Sequence, residues 1–284
     1  PLHRAAMTYV QYLKIAYLYA IQVRIDQSRH MVSGVSEKQI QRVHKYLTKV
    51  EAWNEQQLFD NAKFSSGEVE IDGAKTTLLR SQSESKNVHT GRVVGVFDRA
   101  SGTRLAGAAP DQVVAKGRPT VPESHKELAG AVKTLAPGSI AIGDSNPALG
   151  KALRVAGKDK LIPKATVNHT KKQWTKFQQI KHPGGFTPKL ANVAMKRAGT
   201  SQSTGAIRLK VSTNAVEGLF GNSGAILSAK YQKGGGVAVN KTQRRLAAVY
   251  ALDHFGLTAL GTAVGKWLQE HLDKDDPDLA VDWV

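Results

Sequence analysis

At Phe64 the apolar residues stop recurring about every 3.6 positions and begin to alternate, and this change constrains the fold more than any other feature of the chain. Before it, Ser36-x-x-Gln39 has capping-box form, and Ile40, Val43, Leu47 and Val50 make one apolar stripe, so a helix is expected from Ser36. After it, Gly67–Gly73 (GEVEIDG) alternates, Thr90–Arg99 (TGRVVGVFDR) is a short apolar run ending in a turn, and Thr103–Ala109 reads as a third strand. Three strands at such short spacing predict an antiparallel meander. A helical pattern over His125–Leu135 stops at Pro137-Gly138, and the compact apolar strand Ser139–Ile142 runs into Gly143-Asp144. Pro147 suits the first turn of another helix, to about Val155, and Lys160–Val167 returns to strand. The order β-β-β-α-β-α-β predicts an α/β fold with a mixed sheet.

The segments on either side read as helical. Tyr9–Ile25 predicts a first helix; Lys14 and Arg24 interrupt its apolar run, so it reads as a soluble core helix and neither a membrane span nor a signal peptide. Gly34 breaks the pattern before the helix from Ser36, whose polar face carries Lys38, Gln41, Arg42, Lys45 and Lys49. A short helix, a Gly-containing turn and a basic amphipathic helix suit a helix-turn-helix, with Lys38, Arg42 and Lys45 facing DNA; an ordinary solvated helix face has the same pattern. The Gly-, Ser- and Lys-containing stretch from Trp174 to Lys210 is assigned to no element, and Gly234–Gly236 reads as a hinge. Asn240–Leu272 is helical again, and Asp273–Asp282 reads as a solvated acidic end. The expected organisation is a helical segment over 1–60, a catalytic domain over 64–232 and a helical tail over 233–284.

Lys and Arg number 40 against 23 acids, a net charge of +17, which points to a polyanionic partner, nucleic acid or an acidic membrane surface. No stretch combines strongly basic and apolar faces well enough for a membrane surface, which argues against that partner. With no Cys, disulfides and thiolate zinc sites are excluded.

Against this basic background the acids stand out. Asp72 lies in the first strand and Asp144 follows a later strand at its C-terminal end, where sites collect in open α/β sheets. Glu217 is the one acid between Asp159 and Asp253, in the first turn of a helix N-capped by Ser212, Thr213 or Asn214. Two readings of Glu217 stand side by side. Asn214-x-x-Glu217 fits a capping box. Alternatively, three acids converging without basic partners call for hard cations between them, and Mg²⁺ takes oxygen ligands shared with a phosphate substrate. Asp98 reads as a strand-end acid that pairs with Arg99. Glu70 shares a strand face with Asp72 as a rim acid or supporting group. His169 reads as a neighbour of the metal or phosphate, or as an ordinary hydrogen-bonded residue. Lys171, Lys172, Trp174 and Lys176 suit a nucleic-acid backbone with one stacked base, or a solvated loop.

The runs Val69-Glu-Ile-Asp72-Gly, Gly91-Arg-Val-Val-Gly-Val-Phe-Asp98-Arg, Ile140-Ala-Ile-Gly-Asp144, Val167-Asn-His-Thr170 and Ser212-Thr-Asn214-Ala-Val-Glu217-Gly-Leu-Phe resemble the DDE transposase domain of Merlin-type elements and their bacterial insertion-sequence relatives. The resemblance covers residues 64–232 in order. It implies an RNase H-like fold, with Asp72, Asp144 and Glu217 as the DDE triad holding two Mg²⁺ or Mn²⁺ ions. It further implies double-stranded DNA as partner, both transposon ends and target, handled by a homodimer or higher homo-oligomer, in an intracellular setting that is nuclear or cytoplasmic according to host. The family's zinc ribbon is lost or cut away here, since Cys is absent. After Glu217 this chain has Phe220-Gly-Asn-Ser-Gly where relatives carry Trp and basic residues, which leaves DNA contacts on that helix in question. The expected function is hydrolysis at element ends followed by strand transfer. The alternatives are a nuclease of the same fold that does not join strands, and a domesticated DNA-binding protein.

Overall fold

The structure is a computed structural model that describes residues 7–64, 67–79, 87–115, 123–181, 206–230 and 241–271. The chain forms two compact units, one of 1–55 with 222–284 and one of 56–221. Gly234–Gly236 and the acidic end lie outside the described residues.

In the first unit, α1 (Tyr9–Ala20) starts at a capping box in which Thr8 Oγ1 accepts from Gln11 N–H and Gln11 Oε1 accepts from Thr8 N–H. The single helix expected over Tyr9–Ile25 is in fact two. Gln22 adopts a left-handed φ of 65°, and Val23 N–H closes the turn on Leu18 C=O, ending α1 before α2 (Ile25–Met31) begins. The Ser36/Gln39 capping box is formed and opens α3 (Glu37–Asn61). Ile40, Val43, Leu47 and Val50 are buried as the stripe predicts, but so are His44, Thr48, Glu51 and Glu55, so α3 is enclosed on more than one face. Its partners include Tyr19, whose hydroxyl donates to Glu51 Oε2 at 2.6 Å. The predicted helical tail divides into α7 (Lys241–Asp253) and α8 (Leu257–His271), and these join the same core. Leu260 packs with Ile15 and Ile40, Trp267 packs with Val50, and Asn54 Nδ2 donates to Ala263 C=O. No helix among the described residues is long and apolar enough to cross a membrane.

The second unit is the mixed α/β sheet that the element order predicts. β1 (Glu68–Leu79), β2 (Asn87–Asp98) and β3 (Arg104–Ala115) form the antiparallel meander. β4 (Ile140–Asp144) pairs parallel with β1, and β5 (Lys164–Val167) pairs parallel with β4, giving the order β3-β2-β1-β4-β5. The helix expected over His125–Leu135 is confined to α4 (Ala129–Thr134), preceded by a turn, and α5 (Pro147–Val155) starts at the predicted proline with Asn146 as N-cap.

Alternation sorts each strand onto two faces. On one face Val69, Ile71, Val94, Val96 and Ala141 pack with Phe59, Leu128, Val132, Leu149 and Leu153. The other face takes Ile140, Ile142, Ala165 and Val167, which pack against Ile180, Ile207, Leu209 and Val211. Those last four belong to β6 (Thr175–Lys181) and β7 (Ala206–Ser212), an antiparallel pair in the stretch assigned to no element, although Ile207, Leu209 and Val211 alternate with Arg208 and Lys210 as in a half-buried strand. The chain then enters α6 (Asn214–Lys230). The first half of α6 lies over Gly95, where a Cβ would collide with Val216 and Phe220; only glycine permits this approach.

Candidate active site

The parallel register pairs Glu70 with Ile142, and continuing it by two residues sets Asp72 level with Asp144. The two acids share a sheet face on neighbouring strands, which lie about 4.8 Å apart. Asp144 is held at the strand end, its Oδ1 accepting from Ser145 N–H at 2.6 Å. Asp72 Oδ1 accepts from Gly73 N–H at 2.9 Å.

Glu217 comes from the first turn of α6, and the capping-box reading of it is not what forms. The cap of α6 is Glu70, whose Oε2 accepts from Ala215 N–H and Val216 N–H at 3.0 and 3.1 Å. The carboxylate sits where the helix dipole favours negative charge. Asn214 N–H goes to Ser212 Oγ instead. Glu217 Oε1 accepts from Thr213 Oγ1 at 2.7 Å. Thr213 Oγ1 also lies 3.0 Å from His169 Nε2, and having donated its one proton it must accept there, so His169 carries hydrogen on Nε2. That nitrogen is 3.4 Å from Glu217 Oε1. His169 is thus a hydrogen-bonded residue that also lies close to Glu217.

Glu70 is in turn held by Arg99. The guanidinium donates to Glu70 Oε1 and Glu68 Oε2, both at 2.6 Å, and to the carbonyls of Lys210 and Ser212, both at 2.8 Å. Both carboxylate side chains are 2% exposed. One arginine thus ties β1 to the end of β7 and, through Glu70, sets the start of α6. The expected Asp98–Arg99 pair is not made. Asp98 accepts from Ala100 N–H and Ser101 N–H, because a strand-end aspartate closes its own turn more readily than it reaches the adjacent side chain.

A fourth acid enters that carries no sequence signal. A Cβ on Gly73 would collide with Glu123 Oε1, so the glycine is the space into which Glu123 fits. This oxygen is buried with no hydrogen-bond partner among the described residues. Burial pushes the Glu123 carboxyl up to about 7, aided by the charge of Asp72 and opposed by Arg92. Burial likewise pushes Asp72 up to about 6, with Glu217 and Asp144 acting in the same direction and the Gly73 N–H and His169 against it. The acids therefore sense one another electrically, although among the described residues no three His, Asp or Glu side chains gather closely enough to hold a metal ion as they stand. Their donor set, all hard oxygen with one unpartnered buried carboxylate oxygen, fits Mg²⁺ or Mn²⁺ in kind.

A raised carboxylate pKa has a definite consequence for stability. The folded chain keeps the Glu123 proton up to about 7, while the unfolded chain releases it near the ordinary 4.5. Stability from this group is thus full below the unfolded value and is lost as pH rises through 7, by about 3 kcal/mol. In chelator at pH 8, Glu123→Gln should therefore raise Tm by about 5 °C, and at pH 4 it should leave Tm unchanged. An equal Tm shift at both pH values would show that the carboxyl is not held protonated.

Beyond the acids, His169–Lys171 form a single 3-10 turn and Lys172 is left-handed at φ 56°. Lys171, Lys172 and Trp174 are exposed, while Lys176 is half-buried. Lys38, Arg42 and Lys45 belong to the helical unit; Lys38 is exposed and the other two are half-buried.

No family model matches the chain, and no curated protein matches it. Among solved structures it aligns with that of NurA bound to dAMP and manganese, at 10% identity over 77% of this chain and 64% of that one, with a TM-score of 0.16. The chain thus spans less than two thirds of the NurA chain, and a likeness of that quality transfers neither fold nor activity.

Proposed function

We propose that this chain is a metal-dependent phosphodiester-cleaving enzyme acting on DNA, with Asp72, Asp144 and Glu217 as its catalytic carboxylates, and that its reaction is that of a DNA transposase. The observation that supports this best is the placement of Asp72 and Asp144 side by side on parallel strands, with Glu217 acting on the same Asp72 charge. The basic composition suits DNA. A bound divalent cation would neutralise the acids, offer direct ligands to phosphate oxygens and activate water or a 3′-hydroxyl.

The chain's own residues have separable tasks in this reading. Asp72, whose carboxyl burial pushes up to about 6, would be one of the residues to hold a cation, in its deprotonated form. Thr213 and His169 fix one oxygen of Glu217. Glu70 and Arg99 touch no substrate and set the position of α6, and so of Glu217.

Glu217→Gln is the experiment that separates this role from a structural one. Glutamine's carbonyl oxygen can still accept from Thr213, and the cap of α6 rests on Glu70, so Tm should stay within about 1 °C. Cleavage of supercoiled DNA in Mg²⁺ should fall at least a hundredfold, the loss typical of removing one preorganised electrostatic group. Cleavage at the wild-type rate would remove Glu217 from the triad. A strand-joining assay on the same preparation distinguishes a transposase from a plain nuclease, and binding without either reaction would assign the domesticated DNA-binding protein.

A further inference from the structure

The β6–β7 pair turns one face to the sheet and the other to solvent. Ile180, Ile207, Leu209 and Val211 supply the inner face. On the outer face Phe177 is 51% exposed, and in the bend that leads into β6 Trp174 is 54% exposed. Two large rings left in water are an unfavourable arrangement for a strand with an apolar side already filled, and their surroundings suggest what covers them. Lys210 is the cross-strand partner of Phe177, and the Arg208 guanidinium lies 4.8 Å from the centre of the Phe177 ring. Trp174 leans on His169, ring centres 5.0 Å apart, with exposed Lys172 close by in sequence. The sequence has no acid between Asp159 and Glu217 that would repel a polyanion here.

We propose that this outer face binds single-stranded nucleic acid, with unstacked bases on Trp174 and Phe177 and the backbone held by Arg208, Lys210 and Lys172. A duplex offers phosphates and groove edges, which need only the basic residues. Exposed aromatic rings are complementary to the faces of bases that have left a stack, and such stacking is tolerant of sequence. Arg208 adds its charge over a ring already in place. Through His169 and Thr213 the platform adjoins Glu217, so a strand lying on it runs towards the carboxylates. The inference stands on the hairpin itself and holds whether or not those acids cut.

The test is fluorescence anisotropy in EDTA with labelled oligothymidine, an abasic oligonucleotide of equal length and the corresponding duplex. Trp174→Ala and Phe177→Ala should each weaken oligothymidine binding by about 5- to 150-fold, the range for one stacked base, and leave the abasic strand and the duplex unaffected. Trp174→Phe and Phe177→Tyr, which keep an aromatic ring, should retain most of the affinity. Lys210→Gln should weaken oligothymidine and the abasic strand alike. Asp144→Asn should bind oligothymidine as the wild type does, so failure of the catalytic reading would leave this result standing. Wild-type affinity in both alanine variants would overturn the proposal. So would an equal loss on the abasic strand, or a loss seen only on vesicles of anionic lipid.

Discussion

Asp144→Asn should abolish DNA cleavage in Mg²⁺ or Mn²⁺, by at least about a thousandfold, the upper end of what removing one preorganised electrostatic group costs. The substitution keeps size and shape. Asparagine's oxygen can still accept from Ser145 N–H, and Asn146, not Asp144, caps α5, so neither the strand end nor the helix depends on the charge. What disappears is one negative charge beside Asp72 and one hard oxygen ligand. Duplex affinity in Ca²⁺, which suits oxygen ligands but is less strict in geometry, should remain within a few-fold of wild type, because phosphate contacts come from the basic surface. Residual cleavage above a tenth of the wild-type rate would place the chemistry elsewhere in the molecule.

The second large effect is structural. Arg99→Met should destabilise the sheet-bearing unit by about 3–5 kcal/mol, the cost of leaving buried charge without its partner. Here two carboxylates and two carbonyls lose their donor together: Glu68, Glu70 and the ends of β7 at Lys210 and Ser212. Tm should fall by more than about 6 °C. Arg99→Lys should recover only part of the loss, since a point-like ammonium cannot bridge four acceptors held at the spacing of a guanidinium fork. A loss under about 1 kcal/mol in denaturant titration would mean that water, not Arg99, satisfies Glu68 and Glu70. Because Glu70 caps α6, the same variant should also lose cleavage activity, while Glu217→Gln separates that loss from any change in fold.

Much of this architecture is legible locally. The two-residue period of Gly67–Gly73 and the short apolar runs after it give the meander, because each strand has a face filled by core. The Ser36/Gln39 box and Pro147 mark helix starts, because a cap acts within four residues of itself. Asp72 and Asp144 are conspicuous as acids in, and at the end of, apolar strands. The sequence alone also places Glu217 in a first helical turn, where a capping box and a site residue look alike.

Tertiary structure decided the rest. In β7 the exposed Arg208 and Lys210 alternate with buried Ile207, Leu209 and Val211, which reads as a strand, but in β6 Ile180 alone is buried and no apolar alternation announces it, so the pairing of the two is set by the fold. Arg99 sits next to Asp98 in the sequence yet bonds to Glu68, Glu70 and two carbonyls over a hundred positions on, in residues that only the fold brings close. Glu123 meets Gly73 through a missing side chain, which leaves no trace in either residue's own neighbourhood. Periodicity and capping are interactions among neighbours along the chain, and the amino-acid order by itself fixed them. Which carboxylate caps α6, which arginine holds it and which acids share one electric field depend on contacts across the sheet, and only the folded chain settles those.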